Sequence, residues 1–195
     1  MYINIITPCS RPENLHDIAE SIIIPKEQYQ WLVVYDADTM PDIKLLPTNA
    51  IHTVKKVEGS ISGNGQRNRA LDIINTDNDS WIYFNDDDTI IHPDLFQTIA
   101  QYQDKDFIHF QQANKDGTIR LYSNVIEVEQ IDSHNFIFKA KLLGDTKWQL
   151  DKYDADGYFA KEIYAKSTAP LYIEKVLSTY NCLRQTPLQP LSNHS

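Results

Sequence analysis

The sequence predicts an α/β fold with a mostly parallel central sheet and helices on both faces. Three observations carry this. Short apolar, β-branched or aromatic runs recur at Tyr2 to Thr7, Trp31 to Tyr35 and Trp81 to Phe84, and each is long enough for a buried strand but too short for a helix. Helix-like stretches stand between them, which is the alternation that builds a parallel sheet. Each run also ends in a polar cluster: Thr7-Pro8, Asp36-Ala37-Asp38 and Asp86-Asp87-Asp88.

The elements follow in order. After the first strand, Ser10 and Glu13 have capping-box spacing, and Leu15, Ile18 and Ile22 give the next helix one apolar face until Pro25 stops it. Pro41 and Pro47 mark a loop, and Ile51 to Val57 reads as a third strand. A glycine and serine loop, Gly59 to Gly65, leads into a helix from Gln66 to Asn75 with Ala70, Leu71 and Ile74 inward. Pro93 opens a helix carrying Leu95, Phe96, Ile99 and Tyr102 on one side. Beyond it, Phe107 to Gln111 and Ile119 to Tyr122 flank Asp116-Gly117, a two-residue hairpin signal. Val125 to Ile131, Phe136 to Lys139 and Leu171 to Ile173 read as strands, and Asp156 to Ala165 as a helix. This second half forms a small antiparallel part beside the parallel sheet. One domain is expected over residues 1–185, with a polar, proline-containing tail over 186–195.

Composition narrows the function. A net charge of −9 disfavours general nucleic-acid binding, which needs a basic face. The acidic balance also disfavours docking on an anionic membrane. No run approaches the roughly 18 apolar residues of a membrane span. The N-terminus has no basic region or small-residue cleavage site, and the two cysteines, Cys9 and Cys182, suggest no disulfide framework. A cytoplasmic enzyme is the expectation.

Ligands of open α/β sheets bind at the C-terminal ends of the strands. The three polar clusters should therefore converge on one site. Consecutive carboxylates at Asp86, Asp87 and Asp88 repel one another unless a cation is present, and carboxylate oxygens suit Mg²⁺ or Mn²⁺. A solvated turn capping the next helix is the plainer alternative. Gly63-Asn64-Gly65-Gln66-Arg67-Asn68 places glycines and a guanidinium at a helix start, an arrangement suited to phosphate, though a flexible surface loop has the same composition. Asp36 and Asp38 would accept hydrogen bonds from a base or ribose, or simply cap their loop. Asp154 and Asp156, at the start of a helix, are candidates for a general base or for ordinary N-caps. His134 would serve as a metal or phosphate ligand, or as a satisfied core histidine. Cys9 lies beside the expected crevice without a histidine partner.

These residues in this order resemble A-type-fold (GT-A) glycosyltransferases, above all the large inverting family 2, with features of relatives that carry a triple-aspartate motif. Ile5 to Pro12 looks like the family's opening strand and loop, with Thr7, Pro8 and Arg11 against the donor. Trp31 to Asp36 resembles the second strand, whose terminal aspartate meets the uracil. Gly65 to Leu71 resembles the glycine and Arg-Asn helix start, which assigns donor contacts to Gly65, Arg67 and Asn68. Trp81 to Asp88 looks like the strand and DxD motif, with Asp86 and Asp88 as metal ligands and Asp87 on the donor. Leu143 to Trp148 and Asp154 to Phe159 resemble the acceptor-side segment. Ala155 there departs from the family's acidic pair, so Asp156 is the base the resemblance assigns, with Asp154 and Trp148 as further site residues.

The resemblance implies a hexosyltransferase-like enzyme with Mn²⁺ or Mg²⁺, a nucleotide diphosphate sugar donor (a UDP-sugar above others) and a hydroxyl acceptor such as a glycan. Transfer would invert the anomeric centre. Alternatives are a non-catalytic nucleotide-sugar-binding module and a nucleotidyltransferase. The latter is disfavoured because Thr7 to Arg11 contains no glycine. A calcium module lacks its ligand spacing, and a glycoside hydrolase has no use for the glycine and arginine loop.

Overall fold

The computed structural model describes residues 1–184 apart from Asn75, Thr76 and Asn78, with the side chain of Ile43 also outside the description. The expected tail over 186–195, and the end of the helix expected to reach Asn75, lie outside the described residues.

The first half is built as the sequence predicts. Strands β1 (Ile3–Cys9), β2 (Tyr29–Tyr35), β3 (Ile51–Val54) and β4 (Trp81–Phe84) run parallel in the order β3-β2-β1-β4. The sheet continues through β7 (Phe136–Lys139), which is antiparallel to β4, then β5 (Phe107–Ala113) and β6 (Ile119–Leu121). Strand β8 (Pro170–Thr179) pairs β5 in parallel. Among the described strands, only β6 and β7 thus oppose the general direction.

Alternation along the strands feeds two cores. Ile3, Ile5, Trp31, Val33, Trp81 and Tyr83 face one side, where Leu15 and Ile18 of α1 (Leu15–Ser21) and Leu95, Phe96 and Ile99 of α3 (Leu95–Ile99) cover them. Ile6, Leu32, Val34, Ile82 and Phe84 face the other. There Ala70 and Leu71 of α2 (Asn64–Ile73) and Phe159, Ala160 and Ile163 of α4 (Ala155–Ala165) close the layer. An aromatic group ties α4 to the sheet. Phe84 meets Trp148 and Phe159 edge-on at 4.9 and 5.6 Å, and the latter two rings stack at 4.7 Å.

Several expectations are corrected. The Ser10–Glu13 capping box does not form: a 3-10 turn over Pro12–Asn14 precedes α1, and the Ser10 hydroxyl donates to Asp87 instead. A tertiary carboxylate has outcompeted the local cap. Val125 to Ile131 forms turns rather than a strand, since Glu129 takes φ 71°, which no extended strand accommodates, and Val125 is exposed. The β5–β6 connection is longer than a two-residue hairpin. The Asn114 amide donates to the Thr118 carbonyl, with Lys115, Asp116 and Gly117 between them. β3 ends at Val54, and β8 extends well beyond Ile173.

Candidate active site

The parallel strands deliver their C-terminal ends to one edge of the sheet, where a cleft of about 600 Å³ opens. β1 contributes Pro8 to Arg11, β2 contributes Asp36, and β4 runs into Asp86, Asp87 and Asp88. β6 and β7 run the other way, so residues near their beginnings reach the same edge: Arg120, Asp132 and Ser133. The segment after β8 supplies Tyr180, Asn181 and Arg184, and the start of α4 supplies Asp154 and Asp156. Residues far apart in the chain are thereby gathered on one concave surface.

Each acidic residue of the triplet has a different environment. Asp87 is saturated: its Oδ2 accepts from the Ser10 amide at 2.6 Å, the Ser10 hydroxyl at 3.0 Å and the Arg11 amide at 2.8 Å, while its Oδ1 pairs with Arg11. It fastens the β1 loop to β4. Asp86 is held by Arg67 and by the Ser133 hydroxyl at 2.9 Å, and its pKa is lowered despite burial by the adjacent guanidinium. Asp88 accepts no side-chain hydrogen bond among the described residues. Its charged partners among the described residues are two guanidinium groups, Arg184 Nε at 3.3 Å and Arg11 at 3.5 Å. Burial raises its pKa, with Asp86 and Asp87 adding to the effect. A buried carboxylate crowded by two others is a candidate for a hard cation: Asp88 could hold one directly, whereas Asp86 could join only by giving up Arg67 or Ser133.

A second grouping lies behind this one. Oxygens of Asp86 and Asp132 and a nitrogen of His134 lie within 4.8 Å of one another. Their valences are largely used internally: His134 Nδ1 meets Asp132 at 3.1 Å, and its other nitrogen lies 3.3 Å from Gln112 Nε2. His134 is buried and does not line the cleft, so its geometry is that of a residue orienting Asp132.

Arg67 lines the cleft but is not a free cation. Its guanidinium is bound to Asp86 and to the Ser62 carbonyl at 2.6 Å, and it lies 4.5 Å over the Trp148 ring. Asp36 stands at the cleft mouth, exposed, accepting from Gln66 Nε2 at 2.9 Å. Four expected donor contacts sit elsewhere. Thr7 is fully buried in β1 and accepts from the Trp31 indole at 3.0 Å. Asn68 exchanges two hydrogen bonds with the Trp148 backbone, both 2.8 Å. Asp38 is an exposed partner of Lys56 at 3.0 Å. The Gly65 amide is already capped by the Ser60 hydroxyl at 2.8 Å, and a Cβ at this position would meet Val57 at 2.7 Å. Gly65 therefore serves close packing, while Pro8, Arg11 and Trp148 do line the cleft.

Gly63 is the glycine the site depends on. It precedes α2 with φ 78°, and a Cβ there would come within 2.7 Å of the Pro8 Cβ. Gly63→Ala is expected to cost about 1–3 kcal/mol in chemical denaturation, since both backbone strain and the proline contact must be relieved. A loss under about 0.5 kcal/mol would contradict this placement.

Asp154 and Asp156 flank the first residue of α4. Asp154 occupies the N-cap position, but its side chain makes no cap hydrogen bond. Among the described residues the Asp156 carboxylate accepts only from the Gly157 amide, at 2.8 Å. Burial, reinforced by Asp132, pushes its pKa up to about 7. That value suits a group that takes a proton near neutral pH. Cys9 is shifted in the same direction but with the opposite consequence: burial next to Asp87 pushes its thiol up to about 12, so it is inert as a nucleophile.

Comparisons with known proteins place this architecture. No protein-family model matches the chain, and no curated protein matches it in sequence. Solved structures do match in fold. TarS from S. aureus (residues 1–349) superposes with a TM-score of 0.74 at 16% identity, covering 92% of this chain and 60% of that one. The same protein in complex with UDP-GlcNAc gives 0.70 at 16% identity over 92% of this chain and 58% of that one. The mannosyltransferase PcManGT from Pyrobaculum calidifontis, in complex with GDP-Man and Mn²⁺, gives 0.67 at 14% identity, covering 91% of this chain and 56% of that one. The protein has the GT-A glycosyltransferase fold. The chain spans about 60% of the length of the TarS structure. None of its described helices is long and apolar enough to cross a membrane.

Proposed function

We propose that the protein transfers a sugar from a nucleotide diphosphate sugar, a UDP-sugar by preference, to an acceptor hydroxyl with inversion. The observation that carries this reading is the convergence of Asp36, the Asp86–Asp88 triplet and Asp156 on one cleft of a GT-A fold, with Asp156 poised near neutrality. Asp36 would meet the nucleoside and the triplet the diphosphate. A divalent cation at Asp88 would offset the charge of the leaving diphosphate. TarS and PcManGT bind UDP-GlcNAc and GDP-Man respectively, which supports a nucleotide-sugar donor.

The chemistry assigned to the chain's own residues is simple. Asp156 takes the proton of the acceptor hydroxyl as its oxygen bonds to the anomeric carbon. The bond from that carbon to the diphosphate oxygen breaks, and the electron pair leaves with the nucleotide. Buried Arg67 holds Asp86 and Trp148, fixing the cleft floor across which these groups face each other. The Asn68 and Asn64 side chains pin the segment leading to α4, Asn64 by bonds of 2.9 and 2.8 Å to the Gln149 and Lys152 carbonyls.

The test is UDP release from a panel of UDP-sugars with Mn²⁺, measured across pH. Asp156 must be unprotonated to act, so kcat/KM should climb with pH and level off above about 7. Release that is flat between pH 5 and 8, or confined to acid, would argue against Asp156 as base; no release from any nucleotide sugar would argue against the function.

A further inference from the structure

The chain beyond β8 folds back over the acidic triplet. The Leu183 amide donates to the Asp88 carbonyl at 2.8 Å, and the Cys182 sulfur accepts from the Ile90 amide at 3.1 Å. This clasp lays Arg184 against the Asp88 carboxylate, Nε to Oδ2 at 3.3 Å, with about half of its side chain exposed to the cleft. Arg11 approaches the same oxygen at 3.5 Å but is firmly engaged by Asp87. Asp87 and Asp86 each have a committed arginine, Arg11 and Arg67. Arg184 has only the long contact with Asp88 among the described residues. Among the described residues it is the most loosely held cation of the cleft.

We propose that Arg184 is a shared ligand: it competes with a divalent cation for Asp88 and, once displaced, binds the diphosphate of the donor. This rests on the donor-site reading above. Asp88 Oδ2 cannot face two guanidinium groups and a metal ion at close range, because like charges would crowd one oxygen. The least anchored of the three groups gives way, and that is Arg184. Its side chain lines the cleft and is hinged on a backbone fastened by Leu183 and Cys182, so it moves by rotamer without unfolding the clasp. A planar guanidinium released beside a metal-bound diphosphate has the donor geometry that phosphate oxygens accept. Cation and nucleotide are then coupled through one residue: the first frees it and the second uses it.

The two roles have opposite signs, which makes the proposal testable by binding alone. In Arg184→Gln, Mn²⁺ binding to the nucleotide-free protein, followed by the electron paramagnetic resonance signal of free Mn²⁺, should tighten by about fivefold as a partly exposed competitor is lost. UDP binding in saturating Mn²⁺, followed by calorimetry, should weaken by about tenfold as a charge-assisted contact is lost. Arg184→Lys should fall between, since it keeps the charge but not the fork. Lys147→Gln, which removes one positive charge from a surface pair with Asp72 away from the cleft, should change neither constant. Both affinities unchanged in Arg184→Gln, or both shifted in the same direction, overturns the shared-ligand role while leaving the donor site standing. Wild-type protein that binds no nucleotide with Mn²⁺ overturns the donor-site reading, and this inference with it.

Discussion

Asp156→Asn is expected to lower the rate of sugar transfer by about 10²- to 10⁴-fold while leaving UDP affinity unchanged. The asparagine fills the same space and still accepts from the Gly157 amide, so the start of α4 should survive. What it loses is the capacity to take a proton. The substitution carries a second signature. The folded protein holds the Asp156 carboxyl at about 7, above the ordinary carboxylate value of about 3.9. A group raised on folding contributes stability that is full below its unfolded pKa and lost as pH rises through its folded one. The neutral asparagine has no such loss, so the variant should melt above the wild type at pH 8 and not at pH 4. Slower transfer with higher alkaline stability would mark a residue kept for chemistry at the expense of the fold. A variant that transfers at the wild-type rate would remove Asp156 from the mechanism and direct attention to Asp154.

Asp88→Ala is expected to cost at least about a hundredfold in UDP affinity in the presence of Mn²⁺, or ~2.7 kcal/mol. The reason lies in the division of labour within the triplet. Asp87 is consumed by the β1 loop and Asp86 by Arg67 and Ser133, so neither can replace Asp88 as a cation ligand without breaking a structural contact. Arg11 and Arg184 lose their shared partner in the variant, and any residual UDP binding should become independent of metal and steeply weakened by salt. Asp87→Ala should behave differently. It releases the Ser10 and Arg11 amides and lowers stability as well as binding.

The sheet was legible where one face or both demanded apolar residues. β4 is an uninterrupted apolar run, and β1 and β2 are broken only by Asn4, Thr7 and Gln30, because helices cover both sides of the sheet; β4 and β7 have the bounds the residues suggest. Val125 to Ile131 misled because alternation in V-I-E-V-E-Q-I mimics a half-buried strand, while the backbone needs a left-handed turn at Glu129. Within the site, Asp36, Arg67, the triplet and Asp156 were visible as polar residues at strand or helix ends. Arg120, Asp132, Ser133 and Arg184 do not stand out in the sequence. Sites are expected after parallel strands, but β6 and β7 are antiparallel, which brings residues at and before their beginnings to the ligand edge. The polar run Asp132 to Asn135 directly ahead of a buried strand was the available signal. Arg67 reads from the sequence as a cleft cation, and it does line the cleft; its pairing with Asp86 is not legible because the two residues meet only in three dimensions.

The most direct test of a donor site at this sheet edge is calorimetric titration of the wild-type protein with UDP, first with Mn²⁺ and then with excess chelator, repeated on Asp88→Ala. Binding that needs both the metal and Asp88 is the predicted result. UDP binding that is indifferent to chelator and to Asp88→Ala, or that is absent under every condition, would contradict it.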